Sequence, residues 1–215
     1  KTSGGPGALI SGVPGVKPSK VVILGGGMVG TNAAHMAAGL GADVTIFDKS
    51  IDRLRYLNDI FGNSAKVLYS EKIALEEQLS DADLIIGAVL IPGATAPKLI
   101  NRKFLSKMKK SAVLVDVAID QGGCFETSKP TTHNEPTYVV DDIIHYCVAN
   151  MPGSVPKTAS NALNNVTGDY ILKLATHGMS ALKQDENLAK GLNVSNGIIT
   201  NDAVKSALGY TNSYN

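Results

Sequence analysis

The stretch VVILGGGMVGTNAAHMAAGLGADVTIFD, residues 21–48, constrains this chain more than any other. Gly25, Gly27 and Gly30 stand in G-x-G-x-x-G spacing behind a β-branched apolar run and ahead of a helical pattern, and Asp48 closes the stretch. Strand, glycine turn, helix and acid in that order outline a dinucleotide site. Each part has a physical task. Gly25 permits the tight strand-to-helix turn, Gly27 lets backbone approach a pyrophosphate, and Gly30 lets the helix pack close to the strand. The phosphates belong on the helix N-terminus, where unpaired N–H groups and the helix dipole favour negative charge. Asp48, at the end of the second strand, suits a ribose 2′-OH, and its charge favours NAD over NADP. Lys49 and Arg53 nearby leave that choice open. The blander alternative is a glycine-rich turn in a Rossmann-like domain that binds something else.

Around that stretch, strand and helix patterns alternate. Strands are expected at 20–24, 44–47, 66–69, 83–89 and 111–118, and helices at 28–40, 52–61, 71–79 and 99–108. The fifth strand, 111–118, reads as an apolar run, as buried parallel strands do. Such alternation implies right-handed βαβ crossovers, hence an α/β fold with a doubly wound Rossmann-type parallel sheet. Residues 1–20, rich in Gly, Pro and Ser, read as a connector into the first strand. Residues 119–138 form a long polar loop leaving the ligand side of the fifth strand, and loops of that length are functional or disordered. Strands follow at 138–140 and 143–148. Helical periodicity then covers 158–176, 181–192 and 202–208, with 198–200 as the one further strand candidate. The expected division is therefore 1–152, a dinucleotide-binding domain with its connector, and 153–215, C-terminal helices of a second, incomplete domain that need another surface to cover. A length of 215 residues suits one complete domain and part of another.

Charge and cysteine usage narrow the partners. Twenty basic and nineteen acidic side chains nearly cancel, which points away from nucleic acid and membrane surfaces and toward a small molecule. No run approaches the roughly 18 apolar residues of a membrane span. Cys124 and Cys147 have neither metal-ligand spacing nor the density of a disulfide scaffold, so a reducing, cytoplasmic setting is expected. Lys1 rather than Met opens the chain, which suggests a piece of a longer protein.

Asp116 and Asp120 lie at or just past the end of an apolar strand. Asp116, with apolar neighbours, suits the capping of a turn, whereas Asp120 begins the loop on the ligand side and is the better candidate for chemistry. Asn150 is either a turn residue or a ligand contact. His35 reads as structural; His133, His145 and His177 have no partner at metal-ligand spacing. Cys124 lacks a base that sequence can pair with it and reads as a small loop residue.

At these residues a resemblance becomes specific. The segments LISGVPGV, GAVLIPGATAPKL, VLVDVAIDQGGCFETSKPTTH and YCVANMPGSVPKTAS resemble those of the L-alanine dehydrogenases, in the same order across nearly the whole chain. The resemblance implies reversible oxidative deamination of L-alanine to pyruvate and ammonium, with hydride passing from the substrate Cα to NAD. It places Met28 and Val29 at the pyrophosphate, Asp48 at the adenosine ribose, and Arg53 and Ser70 around the adenosine half. Val89 and Leu90 would line the cleft. Val117, Ala118, Ile119 and Asp120, with Val148, Ala149, Asn150 and Met151, would lie along the nicotinamide side, and Lys129 would be a further contact. Asp120 would be the active-site carboxylate near the substrate amine and Asn150 a neighbouring polar contact. His177 matches a position associated with magnesium in some relatives, and members of the family are typically homohexamers.

The departure from the family is equally informative. Its members begin with a substrate-binding region that supplies a lysine for the pyruvate moiety and a histidine acting as acid/base, and neither is found in these residues. Hydride transfer needs reacting atoms held roughly 3–3.5 Å apart, so this chain is expected to bind NAD better than it turns over alanine. The alternatives are the NAD-binding component of a proton-translocating transhydrogenase, disfavoured by NMPGSVPKTAS and IDQGGCFE, and a non-catalytic NAD-binding or assembly module.

Overall fold

The β-branched runs become the centre of a seven-stranded sheet in a computed structural model that describes residues 4–89 and 96–210. The strands are β1 (Lys20–Leu24), β2 (Asp43–Asp48), β3 (Lys66–Tyr69), β4 (Leu84–Gly87), β5 (Val113–Asp116), β6 (Thr137–Val140) and β7 (Ile143–Tyr146). Their order is β3-β2-β1-β4-β5-β7-β6. All neighbours run parallel except β6 and β7. The chain winds outward from β1 in one direction and from β4 in the other, so the ends of β1 and β4 flank the switch point where such sheets bind ligands.

Successive side chains of a strand point to opposite faces, and β1 feeds both halves of the core. Val22 and Leu24 join Phe47, Ile85, Leu114 and Phe125 on one face; Val21 and Ile23 join Ala34, Ile46, Leu57 and Phe61 on the other. Each Val, Leu, Ile or Phe side chain among them, fully withdrawn from water, contributes about 1.5–3 kcal/mol. Helices α1 (Met28–Gly39) and α2 (Ile51–Phe61) supply the second cluster, with Ser50 capping α2 through Arg53 N. Helix α3 (Lys72–Ser80) contributes Leu79 to the first. The antiparallel pair β6–β7 turns through Asp141 and Asp142, both in the left-handed region at φ 50° and 64°. Two such residues give a hairpin turn the twist its strands need, and Asp tolerates that conformation better than most residues.

Two expectations for the sheet unit are corrected. The helix expected at 99–108 shrinks to α4 (Arg102–Leu105), started by the Asn101 side chain on Phe104 N, because the preceding chain is extended and Ile100 bridges to Phe125. The strand expected at 111–118 ends at Asp116, whose side chain accepts from Ala118 N and starts a 3-10 turn at Val117–Gln121. The polar loop after it is ordered around a buried centre, with Cys124 and Phe125 at 0 % exposure.

Residues 4–89 and 96–149 form one compact unit and residues 150–210 a second. The second begins with a 3-10 turn at Met151–Ser154 and continues with α5 (Pro156–His177), led by proline and closed by Gly178 at φ 54°. The helix expected at 181–192 is split into α6 (Ala181–Gln184) and α7 (Glu186–Lys190) by Asp185, whose side chain accepts from Asn187 N and Leu188 N and restarts the helix. A small hairpin, β8 (Val194–Ser195) with β9 (Ile198–Ile199), turns through Asn196 and Gly197, and α8 (Asp202–Ala207) is capped by Asn201. Among the described residues no helix is long and apolar enough to cross a membrane.

Candidate functional site

A cleft of about 670 Å³ opens at the C-terminal ends of β1, β2, β3 and β4, lined by Gly25, Gly27, Met28, Val29, Asp48, Lys49, Ser70 and Val89 among others. The glycines are there for different reasons. Gly25 has φ +100°, and a Cβ on it would stand 2.8 Å from Ala88 O. A Cβ on Gly30 would come within 1.8 Å of Gly25 O, so helix and turn touch backbone to backbone. A Cβ on Gly27 meets nothing within 4 Å, which leaves the start of α1 open toward the cleft.

Asp48 is built into this turn. One carboxylate oxygen accepts from Gly26 N and the other from Ser50 N, each at 2.8 Å. A carboxylate has about four acceptor positions, so two remain for a ligand hydroxyl at the cleft wall. Gly26 escaped the sequence reading because it falls between the motif positions. Its signal was the third consecutive glycine: a Cβ there would lie 2.4 Å from Leu57 Cδ1 and 3.3 Å from Asp48 Oδ2.

Arg53 takes a place the sequence did not suggest. Its Nε donates to Gly26 O and its Nη2 to Thr31 Oγ1 at 2.8 Å, while the guanidinium covers the Tyr56 ring at 4.5 Å. It braces the glycine turn and is not among the residues lining the cleft. Ser70 does line it, and its N–H donates to Asp48 O at 2.8 Å. Leu90 lies outside the described residues.

At the end of β5, Ala118 and Ile119 are buried and Asp120 is exposed on the 3-10 turn. Asp116, with no exposure, is the structural partner: its carboxylate accepts from Ala118 N at 3.1 Å, Cys124 N at 2.8 Å, Phe125 N at 3.3 Å and the Ser128 hydroxyl. The two aspartates thus divide into a buried anchor and an exposed carboxylate. Cys124 sits against the anchor, where burial and the nearby Asp116 charge raise its thiol pKa above the usual range, the opposite of an activated nucleophile. Lys129 is exposed, and its N–H donates to the Tyr138 hydroxyl at 2.7 Å. Val148 is buried just after β7, and Ala149 N donates to Thr131 O at 3.2 Å.

Asn150 opens the second unit in the left-handed region, φ 53°, which Asn adopts more readily than most residues. Met151 starts the turn that follows. His177 ends α5, where its carbonyl accepts from the Ser180 hydroxyl at 2.6 Å. Among the described residues no group of three His, Cys, Asp or Glu side chains could hold a metal ion, so His177 alone does not make a magnesium site. His35 packs on Phe61 with ring centroids 4.4 Å apart, a structural role.

Fold and site together define a Rossmann-type α/β domain whose open glycine turn and strand-end carboxylate suit a dinucleotide. The family model described as alanine dehydrogenase/PNT, C-terminal domain, matches residues 1–202, and the chain belongs to that family. It is 59% identical to the alanine dehydrogenase of Halomonas elongata over 97% of this chain and 57% of that protein. With the alanine dehydrogenase of Bacillus subtilis it shares 53% identity over 98% of this chain and 56% of the other. A solved L-alanine dehydrogenase superposes with a TM-score of 0.89 at 53% identity, over 97% of this chain and 58% of that one. A transhydrogenase from Sinorhizobium meliloti is more distant, with a TM-score of 0.62, 27% identity and coverage of 71% and 44%. The chain therefore spans somewhat over half the length of the relatives it matches.

Proposed function

We propose that this chain is the NAD-binding part of an alanine dehydrogenase, an enzyme that interconverts L-alanine, water and NAD+ with pyruvate, ammonium, NADH and a proton. The observation that carries the cofactor assignment is Asp48: two backbone N–H groups fix its carboxylate at the cleft wall beside an open glycine turn. Identity of 53–59% to named alanine dehydrogenases supports the substrate.

In this reading residues 1–152 hold the cofactor and residues 153–215 belong to the substrate domain. The start of α1 at Met28 and Val29 takes the pyrophosphate, Asp48 takes the ribose hydroxyls, and Ser70 and Val89 line the adenosine half. NAD supplies acceptance of the hydride from the substrate Cα. Asp120, an exposed carboxylate at the end of β5, holds the substrate amine by charge and hydrogen bonding, and Asn150 supplies a further polar contact. A homohexamer in the cytoplasm is part of the same proposal. Magnesium has no support among the described residues, which hold no group of three His, Cys, Asp or Glu side chains for it.

Activity of a longer protein containing this sequence tests the substrate. Reduction of NAD with L-alanine is expected; reduction with glycine alone, or hydride exchange between nucleotides without an amino acid, would replace this reading with another dehydrogenase or a transhydrogenase.

A further inference from the structure

Lys98 lies between Pro97 and Leu99, two residues of the cleft wall, yet its side chain points to the loop after β5. Its ammonium donates to Gly122 O at 2.6 Å and to Gly123 O at 2.8 Å. On the other side of that turn the Asp116 carboxylate accepts from Cys124 N at 2.8 Å. Gly123 C=O and Cys124 N–H belong to the same peptide group. That group is therefore held by a cation at its oxygen and by a carboxylate at its N–H, with its dipole aligned between them, and hydrogen bonds to charged partners are the strong ones.

The geometry leaves little freedom. Gly122 and Gly123 are both left-handed, at φ 87° and 74°. A Cβ on Gly123 would lie 2.6 Å from Asp116 Oδ2 and 2.8 Å from Ser128 Cβ. The 3-10 turn Val117–Gln121 is thus fixed at its start by Asp116 on Ala118 N and just past its end by Lys98 on Gly122 O. Between those points sits Asp120. Among the described residues its carboxylate makes no hydrogen bond, so the backbone under it sets where it is presented.

We propose that Lys98 and Asp116 form a peptide-bridged clamp across the Gly122–Gly123 turn and act as positioning residues for Asp120. The proposal rests on the reading of Asp120 as the active-site carboxylate. It also ties the cleft wall to the substrate-facing turn, because the segment carrying Lys98 runs beside the loop: Ala96 N donates to Gln121 O at 3.1 Å and Leu99 N to Cys124 O at 2.7 Å. Those backbone bonds stay when the Lys98 side chain is removed, so the fold should survive the test.

The test is Lys98→Met, with Lys98→Arg as the conservative variant. Without cofactor, amide exchange at residues 117–124 should rise roughly tenfold in Lys98→Met while β1, β2 and β4 exchange as before. NADH affinity should stay within about threefold, since Asp48 is untouched. In the longer protein, kcat with L-alanine should fall roughly 10- to 100-fold while KM for NAD moves by no more than about threefold, as a misplaced group would cause. Lys98→Arg, which keeps the charge, should recover most of both losses. Unchanged exchange in Lys98→Met, or loosened exchange with full turnover, overturns the clamp, as does an arginine variant no better than methionine. Asp120→Asn run in parallel separates the two ideas: retained turnover there removes the catalytic assignment of Asp120, whereas the exchange result judges the clamp itself.

Discussion

In the sheet-bearing unit, Val21, Val22, Ile23 and Leu24 are all at 2 % exposure or less, while α5 in the second unit has no buried residue along its 22 positions. That helix is not short of apolar side chains: Leu163, Val166, Ile171 and Leu172 are each about 60 % exposed. The two regions are held by different forces. Strands far apart in sequence bury one another in the first, so its stability comes from long-range apolar contact. In the second, helix ends are fixed locally by Pro156, Asp185, Asn201 and Gly178. Local capping positions a helix but contributes only about 0.5–2 kcal/mol per cap, and isolated helices are marginal in water. A helix with an uncovered apolar surface has the form of a segment that docks elsewhere, which fits its proposed membership of the substrate domain.

Paired truncations probe this contrast most strongly. Leu114→Ala in β5, at a site with no exposure, is expected to cost about 2–5 kcal/mol of unfolding free energy in denaturant titration. Leu172→Ala in α5, at 65 % exposure, should change it by less than about 0.5 kcal/mol in this chain. Equal costs would mean that α5 is covered after all.

Acid provides a smaller perturbation confined to the sheet unit. His145, buried in β7, has its pKa held below the ordinary histidine value of about 6.5 by desolvation. Its Nδ1 lies 3.1 Å from Ile143 O and its Nε2 2.7 Å from Thr127 Oγ1. A backbone carbonyl only accepts, so Nδ1 carries the proton and Nε2 accepts from the threonine. Because the folded pKa is depressed, the unfolded chain binds the extra proton first, and stability falls as pH drops below about 6.5, levelling off under the folded pKa. His145→Gln should flatten that slope in a pH series of melting curves while leaving exchange along α5 unaltered; a slope that persists would place the titrating group elsewhere.

A small effect of the opposite sign belongs to the second unit. A Cβ on Gly168, in the middle of α5, meets nothing within 4 Å. Gly168→Ala should stabilise that helix by about 0.5–1 kcal/mol, read as slower local amide exchange. Slower exchange in the sheet unit as well would indicate that the two units melt together.

The same contrast decides what the sequence could reveal. Strands β1, β2, β4 and β5 were legible because burial on both faces writes a continuous apolar run. The glycine turn was legible because a Cβ at Gly25 or Gly30 would strike backbone, which fixes the residue type. Asp116 was legible as a capping residue because one aspartate among apolar neighbours needs donors, and the loop supplied them. Arg53 and Lys98 were not legible. Each donates to carbonyls brought beside it by tertiary folding, Gly26 for one and Gly122 and Gly123 for the other, and a carbonyl acceptor leaves no mark on residue identity. The split between α6 and α7 was missed for a local reason: Asp185 interrupts an otherwise helical pattern by capping its own second half.

The central claim is that the cleft beside Asp48 holds NAD, and NADH fluorescence titration of this chain tests it most directly. The unmodified chain should bind saturably, and Asp48→Ala should weaken binding by about 1–3 kcal/mol, the range for a lost hydrogen bond to a charged group, in a chain that still melts cooperatively though at a lower Tm, since Gly26 N and Ser50 N lose their acceptor. No binding by the unmodified chain, or equal affinity in Asp48→Ala, would contradict it.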